Sequence, residues 1–199
     1  VAVSSSKITN VFPVKWRERG KGVNSLETLK NTSPDFSLLS SEEAADFTAK
    51  TILSEKENTT VIATGPAVNL VNTIEKYPEV KDKIDRIIWM AGAFLADGNV
   101  ISPDHDGSAE WNIFSDPESA RKLIHSGIKI ILFPLDACNL IPIDDYLLYS
   151  LKKNSKKILS SLVHDMFLLS LDSHKKYYMW DVLPALYLDC PEIAHLIDT

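Results

Sequence analysis

Three short apolar runs, rich in β-branched residues and separated by helical patterns, constrain this chain more than any other feature. They are Thr59–Thr64 closing on Gly65-Pro66, Ile84–Met90 closing on Ala91-Gly92, and Ile128–Leu135 closing on Asp136. Runs this short and this continuously apolar, bounded by turn residues, predict buried strands. Between the first two, Asn69–Tyr77 predicts a helix. Between the second and third, Asp116-Pro117-Glu118 opens another, with Asp at the N-cap and Pro in the first turn, running to about His125 before Gly127 stops it. Strand and helix alternating at this pitch require parallel crossovers. The expected fold is therefore α/β, a mostly parallel sheet with helices on both faces.

The flanking segments add less. Val1–Pro34 is polar and without periodicity, and predicts a loop or extended entry. Ser40-Ser41-Glu42-Glu43 predicts a capped amphipathic helix ending near Glu57–Asn58. Phe94–Trp111 predicts a loop, and helical patterns recur over Asp144–Lys153, Lys157–His174 and Trp180–Leu188. With 199 residues, the chain suits one domain over 1–199 with one substantial core. A net charge of −6 disfavours a nucleic-acid backbone or an anionic membrane as principal partner, since both reward clustered Lys and Arg. No apolar run approaches the roughly 20 residues that cross a bilayer. Cys138 and Cys190 show no metal-type spacing and read as buried thiols of a reducing, cytoplasmic setting. His105, His125, His164, His174 and His195 show no ligand spacing either.

In open parallel sheets, ligands bind at the carboxyl ends of the strands, where loops converge. Those ends carry Thr64-Gly65-Pro66, then Met90-Ala91-Gly92 leading to Gly98-Asn99, then Asp136-Ala137-Cys138-Asn139. Glu110 and Asn112 lie two apart and share a side if the backbone is extended. Together they supply donors and acceptors suited to sugar hydroxyls; on composition alone, a solvated loop serves equally. Trp111 reads as core. Taken alone, Asp181 reads as an N-cap, Trp180 as packing and Trp16 as a surface aromatic.

Five ordered segments carry a resemblance that the single residues do not. Ala63-Thr64-Gly65-Pro66-Ala67-Val68-Asn69, Ile88-Trp89-Met90-Ala91-Gly92-Ala93-Phe94, Gly98-Asn99, Ala109-Glu110-Trp111-Asn112-Ile113 with Asp116-Pro117-Glu118-Ser119-Ala120, and Pro134-Leu135-Asp136 follow one another as in the nucleoside hydrolases. The resemblance implies a Rossmann-like α/β fold and Ca²⁺-dependent hydrolysis of the N-glycosidic bond of ribonucleosides. It further implies a homo-oligomer (dimer or tetramer) with a small nucleoside as substrate, in purine salvage. Carried over by position, the Thr64 carbonyl and the Asp181 carboxylate would be Ca²⁺ ligands. Asn99, Glu110 and Asn112 would hold the ribose, and Met90 would line the sugar pocket. Trp180 stands where many members carry His. With Trp16 in Phe12-Pro13-Val14-Lys15-Trp16-Arg17, it resembles the inosine-adenosine-guanosine-preferring branch, in which two indoles sandwich the purine. Stacking on electron-rich rings favours a protonated leaving base, so Trp16 and Trp180 are the expected leaving-group activators.

The chain departs from the family pattern at its ends. It contains no D-x-D-x-x-x-D-D cluster, the source of the family's general base and further Ca²⁺ ligands, and neither the following strand nor the C-terminal segment is present. The fold is thus expected to be incomplete and these 199 residues alone inactive, as a portion of a longer polypeptide. Asp104-His105-Asp106 is the nearest concentration of acid and is not assigned the missing role. The alternatives are a non-catalytic nucleoside- or ribose-binding homologue, a purely structural paralogue, and a broad-specificity or pyrimidine hydrolase.

Overall fold

The computed structural model describes residues 1–101, 105–173 and 176–197; Asp104 and His174 lie outside them. In chain order the elements are α1 (Val14–Gly20), α2 (Ala44–Ser54), β1 (Thr59–Ala63), α3 (Val68–Lys76), β2 (Ile84–Met90), α4 (Trp111–Ser115), α5 (Pro117–Ile124), β3 (Ile130–Phe133), α6 (Leu135–Cys138), α7 (Asp145–Lys153), α8 (Ile158–Ser173) and α9 (Val182–Asp189). The chain divides into two compact units, one of residues 1–11, 36–138 and 180–199, the other of residues 12–35 and 139–179.

The first unit holds the sheet, in the order β1-β2-β3, both pairs parallel. Parallel neighbours need crossovers, which α3 supplies between β1 and β2 and α5 between β2 and β3. β2 is central and nearly all buried, as expected of a strand covered on both faces. Its alternate residues show the two sides. Ile87 and Trp89, both fully buried, pack with Ile52 of α2, Val71 of α3 and Leu123 of α5. Ile88 and Met90 point the other way, toward the face on which Phe133 meets Tyr187 of α9 at 5.2 Å. The sheet thus carries helices on both faces.

Helix starts follow local chemistry with one change. Asp116 caps α5 by accepting from Ser119 N. For α2 the cap is Glu43, not a serine: its carboxylate accepts from Ala45 N at 2.7 Å and also from Ser5 N, and so ties the N-terminal segment to the helix. Beside that bond, Val3 bridges Glu43 in parallel.

In the second unit, the expected entry loop is partly helical. The Pro13 carbonyl accepts from Trp16 N and Arg17 N, which starts α1, and one-turn 3₁₀ segments follow at Lys21–Ser25 and Glu27–Leu29. Elements this short show too few apolar repeats for a periodic signal. Asp144 caps α7 through Leu147 N at 2.8 Å. Thr28 anchors its turn to α8 by donating its N–H and hydroxyl to Asp165. Residues 141–143 pair with 177–179 through Ile143 N to Tyr177 O and Met179 N to Ile141 O. No helix among the described residues is long and apolar enough to cross a membrane.

Candidate active site

The carboxyl end of β2 organises the polar residues. Gly92, at φ +87, turns the chain away from the strand in a conformation that side chains rarely adopt. Its N–H donates to Glu110 Oε2 at 3.0 Å. The same carboxylate accepts from Asn112 N at Oε1 (2.8 Å) and from Ile113 N at Oε2 (3.1 Å), so Glu110 is also the N-cap of α4. Asn112 donates its side-chain amide to the Met90 carbonyl at 2.9 Å and lies 3.4 Å from Met90 Sδ.

This arrangement corrects two readings of the Glu110–Asn112 segment. It is not solvated, since Glu110 is 3% and Asn112 8% exposed. It is not extended either: Asn112 sits in the first turn of α4, because the Glu110 carboxylate collects the N–H groups that open that helix. Trp111 is buried, as expected of a core aromatic. What brings Glu110, Asn112 and Met90 together is hydrogen bonding across 18 and 22 residues of sequence, not alternation along a strand.

Asn99 joins this group through the loop between β2 and α4. Its Oδ1 accepts from Trp111 N at 2.9 Å, and Asn99 N and Val100 N both donate to the Ala109 carbonyl. Gly98 permits that approach: a Cβ there would stand 2.2 Å from Ala109 O. Along the same loop, Phe94 N, Leu95 N and Ala96 N donate to the Asp136 carboxylate at 2.8, 2.7 and 2.9 Å. The sequence offered Asp136 only as part of a motif. An acidic residue one step past a strand end was the available signal.

Thr64 follows β1, and the next carbonyl, Gly65 O, accepts from the Trp89 indole at 2.9 Å, which pins that turn to β2. Asp181 stands at the N-cap position of α9 but makes no capping bond, so the plain N-cap reading fails. Its side chain reaches solvent on one side and is crowded by protein on the other. That desolvation, then the charge of Glu110, pushes its pKa up to about 6. Burial likewise raises Glu110, against the pull of its three N–H partners. The Cys138 thiol lies 3.5 Å from Phe133 O at the end of β3 and 3.7 Å from Trp180 O. Burial, with Asp181 and Glu110, lifts that thiol to about 12. Trp180 immediately precedes Asp181. Trp16 lies in α1 of the other unit, tilted against Phe12 with ring centroids 5.9 Å apart.

The Thr64 carbonyl and the Asp181 carboxylate are hard oxygen donors of the type calcium prefers, and a nearby cation would offset the desolvation and the Glu110 charge that raise Asp181. The donor chemistry suits the ion, but two such groups would supply only part of a shell, since calcium takes about six to eight oxygens. No group of three His, Cys, Asp or Glu side chains placed to hold a metal occurs among the described residues.

Residues 11–198 match the model of the inosine-uridine preferring nucleoside hydrolases. The chain superposes on the inosine-uridine preferring nucleoside hydrolase of Bacillus anthracis with a TM-score of 0.84 at 32% identity, covering 94% of this chain and 61% of that one. A purine-preferring ribonucleoside hydrolase from Gardnerella vaginalis shares the fold, with a TM-score of 0.72 at 21% identity over 98% of this chain and 62% of its own. The pyrimidine-specific ribonucleoside hydrolase RihA of Escherichia coli is 37% identical over 93 residues, 47% of this chain and 28% of RihA. An uncharacterised protein of Schizosaccharomyces pombe is 32% identical over 137 residues, 67% of this chain and 40% of its own. The chain thus spans less than two thirds of the length of each of these relatives. With the family model matched over residues 11–198 and the motif residues at the strand ends, the chain belongs to the inosine-uridine preferring nucleoside hydrolase family.

Proposed function

We propose that the protein containing this chain hydrolyses the N-glycosidic bond of purine ribonucleosides to free base and ribose, with calcium. The observation that carries this reading is the convergence of Met90, Asn99, Glu110 and Asn112 at one end of the sheet, their polar atoms divided between structural and available roles. Asn112 spends its NH₂ on Met90 O, which leaves its Oδ1 to accept from a sugar hydroxyl. Asn99 spends Oδ1 on Trp111 N, which leaves its NH₂ to donate. Glu110 has about four lone-pair directions, of which three receive backbone N–H groups. The remaining one, on Oε1, suits a ribose hydroxyl. One acceptor amide, one donor amide and one carboxylate lone pair form a set matched to a polyol.

Calcium would be held in part by the Thr64 carbonyl and Asp181, and when bound it supplies a Lewis-acidic site for ribose hydroxyls and water. The carboxylates of Glu110 and Asp181 would favour an oxocarbenium-like transition state by their charge. Trp16 and Trp180 would each favour a protonated leaving base by offering an indole face. The test is base release by the natural protein from inosine and from uridine, with and without a calcium chelator, and in W16A and W180A. Chelator-sensitive release from inosine that falls in both variants supports the reading. Release unaffected by either substitution removes the tryptophans from the chemistry.

The identity to RihA supports a second reading, in which the preferred base is a pyrimidine. Faster turnover of uridine than inosine decides for it.

A further inference from the structure

Among the described residues the β2–α4 loop is fastened at three places, two of which belong to the residues proposed above. At its start, Gly92 N binds Glu110, and Gly92 O accepts from Leu135 N at 2.8 Å. At its far end, residues 98–100 are pinned to 109–111. Between these ties the crest 94–96 makes hydrogen bonds to one side chain, Asp136, on the single-turn helix α6 beyond β3. The crest has no apolar anchor to replace that tie, since the Phe94 and Leu95 side chains are 65% and 96% exposed.

Three converging N–H donors form a concave nest that a carboxylate neutralises, and bonds to an ionised acceptor are among the stronger ones. Desolvation works against the charged form of Asp136, but the three N–H groups outweigh it and hold the carboxyl below its ordinary range. The acid therefore stays ionised, with both oxygens engaged: Oδ2 by Phe94, Oδ1 by Leu95 and Ala96. It also spans two strand ends, because α6 continues β3 while the crest continues β2.

We propose that Asp136 is a positioning residue, which sets the crest 94–96 against the end of β3 and thereby places Phe94 and the descending segment that carries Asn99. The second half of this proposal, an effect on nucleoside binding, rests on the function proposed above; the first half does not. Asp136→Asn is the informative change. It keeps the shape and an Oδ1 for Leu95 and Ala96, but turns an NH₂ toward Phe94 N, donor against donor.

The experiment compares the natural protein with its D136N variant by hydrogen exchange over 91–100 and over the strands, together with inosine affinity by calorimetry. Losing a charge-assisted tie should speed exchange at 94–96 roughly tenfold or more, leave β1 and β2 unchanged, and weaken inosine binding several-fold. A merely structural role would instead loosen the strands along with the loop. Unchanged exchange at 94–96, or equal acceleration across the sheet, overturns the positioning role. Local acceleration with unaltered inosine affinity overturns its link to the site. Failure of the unmodified protein to bind inosine counts against the nucleoside reading, and the exchange comparison still decides what Asp136 does to the loop.

Discussion

Replacing Gly98 with Ala should cost this chain far more than one methyl group suggests. The added Cβ would lie 2.2 Å from Ala109 O, 2.4 Å from Ser108 C and 2.5 Å from Ala109 N. All three are backbone atoms, so no side chain can rotate away. Real Cβ contacts essentially never fall under 3.0 Å, so the two segments must part by roughly 0.8 Å or more. Overpacking of this kind costs about 1–3 kcal/mol. The parting also breaks or weakens the bonds from Asn99 N and Val100 N to Ala109 O, worth about 0.5–1.5 kcal/mol each. We therefore expect G98A to lose about 2–6 kcal/mol in urea unfolding, with a fall in melting temperature of about 2–4 °C per kcal/mol. Because Asn99 would leave Trp111 N, its side-chain NMR resonances should shift in the folded variant. A loss below about 0.5 kcal/mol with unmoved Asn99 resonances would show that the tight backbone approach at Gly98 is not what holds the loop.

Two further outcomes follow from the ionisable groups. With its thiol at about 12 and fully buried, Cys138 should resist a thiol reagent at pH 8 in the folded protein, leaving the half-buried Cys190 to react; equal labelling of both before unfolding would contradict the buried placement. Asp46 accepts from Lys76 and from Tyr77 OH, and the Lys76 bond chiefly holds its pKa below 3.8, while the same bond raises Lys76 above 10.5. The contribution of this cluster should be full between those values, fade as pH falls through the lowered Asp46 pKa, and fade again as pH rises through the raised Lys76 pKa. D46N should accordingly be less stable than the parent at pH 7 and converge with it in strong acid; a gap that persists unchanged at low pH would show that the carboxylate is not its source.

Local patterns were readable where the physics is local. Ile84–Met90 is the strand that its apolar run predicts, and Asp116-Pro117 starts α5 as capping chemistry requires. β3 proved shorter than its run, covering Ile130–Phe133, because pairing with β2 ends at Met90 and Phe133 and the chain then turns into α6. α1 was hidden because a seven-residue helix, about two turns, carries almost no periodic signal, and its start depends on a single proline carbonyl.

The candidate site divides in the same way. Residue types, their order and the ends of three strands are properties of the linear chain, but Thr64, Met90, Asn99, Glu110, Asn112 and Asp181 became candidates only through the resemblance of five ordered segments to the nucleoside hydrolases. Which atom of each residue is spent on the backbone is not written there. Glu110 reads as a carboxylate in a polar loop until Gly92, Asn112 and Ile113 are folded around it, and Asp136 reads as a strand-end acid until the 94–96 crest arrives from across the sheet. Propensity and periodicity act over a few neighbours, so the sequence by itself determined the parallel α/β order, while the candidate residues came from what its ordered motifs resemble. Hydrogen bonds between segments about 20 to 40 residues apart depend on how the sheet brings strand ends together. Only the tertiary structure decided which polar atoms are buried and engaged, and which remain to meet a ligand.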